Sequence, residues 1–268
     1  MIRDDKLRDR LEALYRAHDH RDLVHPDPLE FLYRYPGGRD REVAGVVASA
    51  LAYGRVAQIN RSVATALSPL GPSPRDFLLA TGDRELSDLY HGFCHRFCRG
   101  PSLAALLAAL GRVLQDFGTL EDAFLAGLLP KDETVLPALD RFVDLLARSG
   151  CPSPDHLIPR PRGGSACKRW NLFLRWMVRC DQVDPGGWSR LSPALLVVPL
   201  DVHMHRVCRE LGLTARSAPN LKTALEITRA FRDFSPDDPV RYDFALTRVS
   251  MAGESVTRAL AHYGRKRV

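Results

Sequence analysis

Apolar residues recur at helical spacing along almost the whole chain, which narrows the fold before any other feature does. "LRDRLEALYRAH" sets its leucines on one helical face. "SLAALLAALGRVLQDFG", "TLEDAFLAGLL" and "TVLPALDRFVDLLARSG" follow suit, each opened by Ser or Thr in a capping position. "DREVAGVVASALAYGRVAQINRSVATALSPLG" reads as one long apolar helix or two short ones, and the last third continues with "DVHMHRVCRELGL" and "NLKTALEITRAFRDF". No segment alternates with period two over a strand length, and only "LLVVPL" is ambiguous. The expectation is an all-α protein. With no repeat and no linker to divide it, residues 1–268 read as a single helical domain: a core over about 40–255, an N-terminal helical extension over 1–39, and two lobes around a cleft.

A hydrophobic share of 45% beside 26% charged residues belongs to a globular chain, and 268 residues can bury a full core. No run of about eighteen apolar residues occurs, so no membrane span is expected. The charged, periodic start "MIRDDKLRDRLEALY" does not read as a signal peptide, which places the protein in the cytoplasm, associated with the nucleoid. Six cysteines without a regular framework read as reduced thiols. Cys94 and Cys98, one helical turn apart around His95, read as buried thiols on a helix, since no second pair at ligand spacing accompanies them. The net charge of +6, carried mostly by arginine, suits a polyanionic partner such as DNA. No obligate protein partner is implied.

The chemistry concentrates in "RPRGGSACKRWNLFLRWMVR". Gly163 and Gly164 permit a tight turn with bare amides, and Ser165 can cap the following helix. Amides at a helix N-terminus beside Arg160, Arg162 and Arg169 form a seat for phosphate. Lys168, in the first turn, sets a cation against the positive end of the helix dipole, which favours the neutral, nucleophilic amine. Two readings stay open for it: phosphate binder or nucleophile. In "VVPLDVHMHRV", Asp201 precedes an amphipathic segment and should be its N-cap, a carboxylate held in one orientation. Should both helices aim their N-termini at one point, amine and carboxylate meet. His203 and His205 point about 200° apart on that helix and do not share an ion easily, so no metal is assigned.

These residues carry a resemblance. The glycine hairpin, the early lysine and "VPLDVHMHRV" together resemble the helix-hairpin-helix DNA glycosylase superfamily, whose 8-oxoguanine enzymes carry a similar VP-x-DVHM at the catalytic aspartate. The separation of 33 positions between Lys168 and Asp201 is most similar to the archaeal 8-oxoguanine glycosylase branch. The whole chain is also similar to a bacterial domain-of-unknown-function family through "LAYGRVAQI", "GSACKRWNLFLRWMVR", "PLDVHMHRV" and "DPVRYDFAL". The resemblance implies base excision from DNA, with Lys168 as nucleophile, Asp201 as electrostatic partner and no metal or organic cofactor. It also gives Asp243 a contact to the guanine edge, beside a plain reading as a helix N-terminal charge. The chain departs from the superfamily in its hairpin, where "RPRGGSA" replaces apolar-Pro-Gly-apolar-Gly, in lacking a four-cysteine cluster pattern, and in having Thr247 where archaeal relatives stack a tryptophan.

Tyr53, Arg55, Gln58 and Trp170 complete the base-binding candidates, with core or helix-packing readings beside Tyr53, Arg55 and Trp170. Gly163, Gly164, Ser165, Arg162, Arg169 and His203 are the DNA-phosphate candidates, and His205 reads as core or surface. Two other function classes compete: a non-catalytic DNA-binding module on the same hairpin, and a metal-dependent hydrolase using His203 and His205.

Overall fold

The computed structural model describes residues 5–152 and 156–265, with side chains through 263. The first four residues of the charged start and residues 153–155 of the proline-rich loop lie outside the described residues. The protein is mostly helical. Its α-helices are α1 (Asp5–His18), α2 (Gly38–Ala50), α3 (Val56–Leu67), α4 (Pro74–Ala80), α5 (Asp83–Leu89), α6 (Gly100–Phe117) and α7 (Leu120–Ala126). They continue with α8 (Leu136–Arg148), α9 (Lys168–Val178), α10 (Val202–Glu210), α11 (Leu221–Phe234), α12 (Asp243–Met251) and α13 (Val256–Arg265). The ambiguous apolar stretch becomes a 3-10 turn, Pro193–Leu195, and extended chain. Among the described residues no single helix is long and apolar enough to cross a membrane.

The long apolar stretch divides into α2 and α3 because the chain turns at residues 51–55, where Gly54 takes a φ of 106°. α2 is the central element: every residue from Glu42 to Ala50 is buried. Apolar all round, it packs against the 3-10 helix Pro28–Arg34 on one side and α9 on another. Gly45 makes the second contact close, since a methyl group there would sit 3.2 Å from the Phe173 ring. α1 packs on α12 and α13, and α10 on α12, so both ends of the chain support the elements that carry the candidate residues.

Two expectations change. Cys94 and Cys98 lie not on a helix but on paired antiparallel strands, β1 (Cys94–His95) and β2 (Cys98–Arg99), joined through Arg96 at a φ of 53°. His95 holds this hairpin in place: it is fully buried, its Nε2–H donates to the Tyr53 carbonyl at 3.1 Å, and Nδ1 meets Ser62 Oγ at 2.9 Å. Of the three presumed Ser/Thr caps, Thr119 stands at the N-cap of its helix, accepting from the Asp122 amide at 3.0 Å. Thr134, one residue ahead of its N-cap, accepts from the Leu136 amide at 3.4 Å. α6 instead begins at Gly100, two residues before Ser102, and Val135 stands at the N-cap of α8.

Glu42, 1% exposed, ties α2 to the start of α7 and to the 179–200 loop. It accepts from the Leu120 amide at 2.8 Å, the Glu121 amide at 3.3 Å and Trp188 Nε1 at 2.9 Å. Burial pushes its carboxyl up to about 7, against the pull of those donors. A folded value above the unfolded 4.5 stabilises the protein at low pH, and this contribution is lost as pH rises through about 7. Between about pH 5 and about pH 8, Glu42→Gln should therefore lose roughly 2–3 kcal/mol less stability than the parent. Urea midpoints across that range measure it, and parallel curves for both proteins would contradict it.

Candidate active site

Three helices begin at one cleft: α9 with Lys168, α10 with its cap Asp201, and α12 with Asp243. α9 opens at Lys168, not at Ser165; the N-cap is Cys167, held at a φ of 48°. A left-handed, fully buried cysteine is an uncommon backbone state. It is supported by Ser165 Oγ, which accepts from the Cys167 amide at 3.1 Å, and by the Cys167 carbonyl, which accepts from the Asn171 amide at 3.0 Å. Asp201 is the expected N-cap, with Oδ1 accepting from the Met204 amide at 2.9 Å. Its other oxygen, Oδ2, lies 3.1 Å from Lys168 Nζ.

Both oxygens of Asp201 thus have fixed partners. Burial alone would raise this carboxyl, but Lys168, the Met204 amide and His203 together hold it below the ordinary carboxylate range. It is an anion at neutral pH.

The cleft encloses about 180 Å³, more than the ~150 Å³ of an engineered cavity that admits benzene. One wall comes from α9, where Lys168, Leu172 and Arg175 follow each other at i, i+4 and i+7. Another comes from α12 through Asp243, Phe244, Thr247 and Arg248. Tyr53, Pro199 and Asp27 also line the cleft.

Asp243 is 4% exposed. Its Oδ2 accepts from Arg175 Nη1, while Oδ1 has no hydrogen-bond partner among the described residues. Burial pushes the carboxyl up to about 6, against the attraction of Arg175 and with the charge of Asp201 adding to the rise. Arg175, itself 3% exposed, also donates from Nε to Asp184 Oδ1 at 3.1 Å. Asp184 is shared with Arg179, whose Nε donates to Asp238 at 2.9 Å and whose Nη2 donates to Asp181 at 2.7 Å. A buried ionic network therefore lies directly behind the cleft.

The other candidate residues divide. Tyr53 lines the cleft, but its hydroxyl donates to the His95 carbonyl at 3.0 Å. His203 lines it too, with Nδ1 3.5 Å from Ser250 Oγ. Arg55 and Gln58 are exposed at the start of α3 and are not among the lining residues. Trp170 is not there either: it is 3% exposed and packs edge-on against Phe142 and Phe173 in the core.

The expected phosphate seat is differently made. The Gly163 and Gly164 amides are not bare, because they donate to the Arg160 and Pro161 carbonyls of a 3-10 turn. Arg162 is paired with Asp140 and Asp144 of α8. Arg169 donates to the carbonyls of Ala50 and His156, its guanidinium above the Tyr53 ring. His205 is buried, with Nε2 2.9 Å from the Arg216 carbonyl. No three His, Cys, Asp or Glu side chains gather into a metal-binding group among the described residues.

Arg175 and Arg248 escaped the sequence reading, although each left a trace in it. Arg175 stands two turns from Lys168 on the same face, and Arg248 stands one turn from Phe244 on a helix that is otherwise largely apolar.

Among known proteins, a family model described as "Protein of unknown function (DUF2400)" matches residues 27–252. No curated protein and no solved structure matches the chain.

Proposed function

The chain belongs to the DUF2400 family of proteins of unknown function, and for it we propose a helix-hairpin-helix-type DNA glycosylase that excises an oxidised purine, 8-oxoguanine above all. The observation that carries this reading is the 3.1 Å approach of Lys168 Nζ to Asp201 Oδ2 at the mouth of a base-sized cleft. A base inside a duplex hides its glycosidic bond, so the nucleotide must leave the stack and enter such a cleft.

In the proposed reaction the Lys168 ammonium gives a proton to the base as the bond from C1′ to the base breaks, and the freed nitrogen pair bonds to the sugar C1′. The positive charge that grows on the sugar faces the carboxylate of Asp201, which is already oriented and needs no reorganisation. The C1′–O4′ bond then breaks as a proton passes from the lysine nitrogen to O4′, which opens the sugar ring and leaves a Schiff base on Lys168. Removal of a C2′ proton then expels the 3′ phosphate by β-elimination, breaking the strand. Asp243 lines the cleft, and its Oδ1, without a hydrogen-bond partner among the described residues, suits the adjacent N1–H and N2–H donors of guanine.

Borohydride reduces such a Schiff base to a stable amine. The expected result is a covalent protein–DNA adduct on a duplex carrying 8-oxoguanine, and the absence of an adduct across a panel of oxidised-purine strands would refute the reading. Asp201→Asn adds a second expectation. Asparagine caps helices as well as aspartate, so the fold should hold while base release falls by about 10²- to 10⁴-fold. A DNA-binding module without chemistry would bind DNA unaltered by that change. For the hydrolase alternative, the separation of His203 from His205 offers no shared ligand position.

A further inference from the structure

We propose that Arg248 selects a 6-oxopurine, donating a hydrogen bond to the C6 carbonyl of the base while Asp243 Oδ1 receives the N1–H beside it. The inference rests on the glycosylase reading and deepens it. Arg248, Asp243 and Phe244 line the same cleft from one helix. The Arg248 guanidinium lies 4.7 Å from the Phe244 ring centroid, and that of Arg175, which clamps Asp243, lies 5.9 Å from the same ring. Donor and acceptor thus line one cleft from the same helix.

The hydrogen bonds of Arg248 show which atoms are open. Only Nη2 is engaged, donating to the Val24 carbonyl at 2.8 Å and to Asp27 Oδ2 at 3.3 Å. Nε and Nη1 have no partner among the described residues, yet they are not sealed from solvent as buried orphans would be. Held at one nitrogen, the guanidinium presents its remaining donors to the cleft. A purine with a carbonyl at C6 and a proton on N1 offers an acceptor beside a donor, complementary to this pair. A 6-aminopurine reverses both, placing an amine against Arg248 and a bare N1 against the carboxylate. A site built on hydrogen bonds rejects such an analogue, because its own polar groups are then left unpaired.

Single-turnover release of 8-oxoguanine and of 8-oxoadenine from otherwise identical strands tests this. The parent should favour 8-oxoguanine, and Arg248→Met should lower that preference by about 10- to 100-fold, the effect of one charge-assisted hydrogen bond. Should the methionine variant not fold, Arg248→Lys serves. Its single ammonium cannot hold Val24 and Asp27 and also reach the base, so the preference should fall there as well. A merely structural role would slow both bases equally and leave the ratio unchanged, which overturns the proposal. A parent that releases both bases alike overturns this inference and spares the glycosylase reading, whereas a parent that releases neither sinks both.

Discussion

Lys168→Gln should abolish the borohydride-trapped adduct completely while leaving a folded protein. Lys168 is the sole lysine among the residues lining the cleft, so no neighbouring amine can take over the attack on C1′. Glutamine has nearly the same reach and can still donate to Asp201 Oδ2, but its amide nitrogen has no free electron pair for a nucleophilic step. The pair it replaces is partly exposed, with side chains 35% and 19% accessible, and such pairs contribute at most about 1 kcal/mol. A large loss of activity with a small change in denaturation midpoint is therefore the expected pattern. Base release itself should persist at a low level, because water can attack the sugar opposite Asp201 once the amine is gone. Gel-resolved trapping and measurement of the free base separate the two quantities. An undiminished adduct in Lys168→Gln would place the nucleophile elsewhere and remove the basis for assigning this cleft.

The helix positions of Asp201 and Lys168 were legible in the sequence for a local reason. Asp201 reads as an N-cap because a cap is set by its own residue type and the few residues after it, and the structure shows the bond to Met204 that this implies. Lys168 reads as early in a helix on similar grounds, although the cap proved to be Cys167 in a conformation that nothing in its side chain announces. The all-helical class was legible as well, since periodicity is a property of each segment separately.

What stayed hidden depends on pairings between distant segments. "RCDQVDPGGW" looked like a lengthened connection, yet Asp181 and Asp184 within it are the counter-charges for Arg175 and Arg179. Asp243 was readable as a helix-terminal charge and does open α12, but its bond to an arginine 68 positions earlier was not readable. The Cys94–Cys98 spacing suits one turn of helix equally well, and the choice of a hairpin follows from the pocket that Ser62 and Tyr53 provide for His95. Trp170 faces the core because α9 turns its Lys168, Leu172 and Arg175 stripe to the cleft. The sequence contains that stripe, but only the partner helices say which side is open.

Arg175→Met should be the most destabilising of the changes considered, by about 3–5 kcal/mol. The side chain it removes is the counter-charge for two carboxylates, Asp184 at 0% exposure and Asp243 at 4%. Methionine fills much of the volume, so the loss is electrostatic and not a cavity effect. Against a total stability of ~5–15 kcal/mol, the midpoint of thermal unfolding should fall by about 10 °C. The deficit should also depend on pH. Burial already pushes Asp243 up to about 6 with Arg175 present, and Asp184 is raised by the same cause. Without the arginine both carboxyls rise further above their unfolded values, so both bind protons in the folded state. Groups raised on folding stabilise at low pH and cease to do so as pH climbs through their folded values. The gap between variant and parent should therefore be smaller at about pH 5 than at about pH 8. Adding Asp243→Asn to Arg175→Met should recover part of the loss, since a neutral amide there is far less costly than an unpaired anion, whereas Asp184 keeps Arg179 as its partner. A variant that unfolds within about 1 kcal/mol of the parent at about pH 8 would mean that these carboxylates are hydrated or already protonated. The ionic wall behind the cleft, and with it the fixed aim of Asp243 toward a base, would then have to be given up.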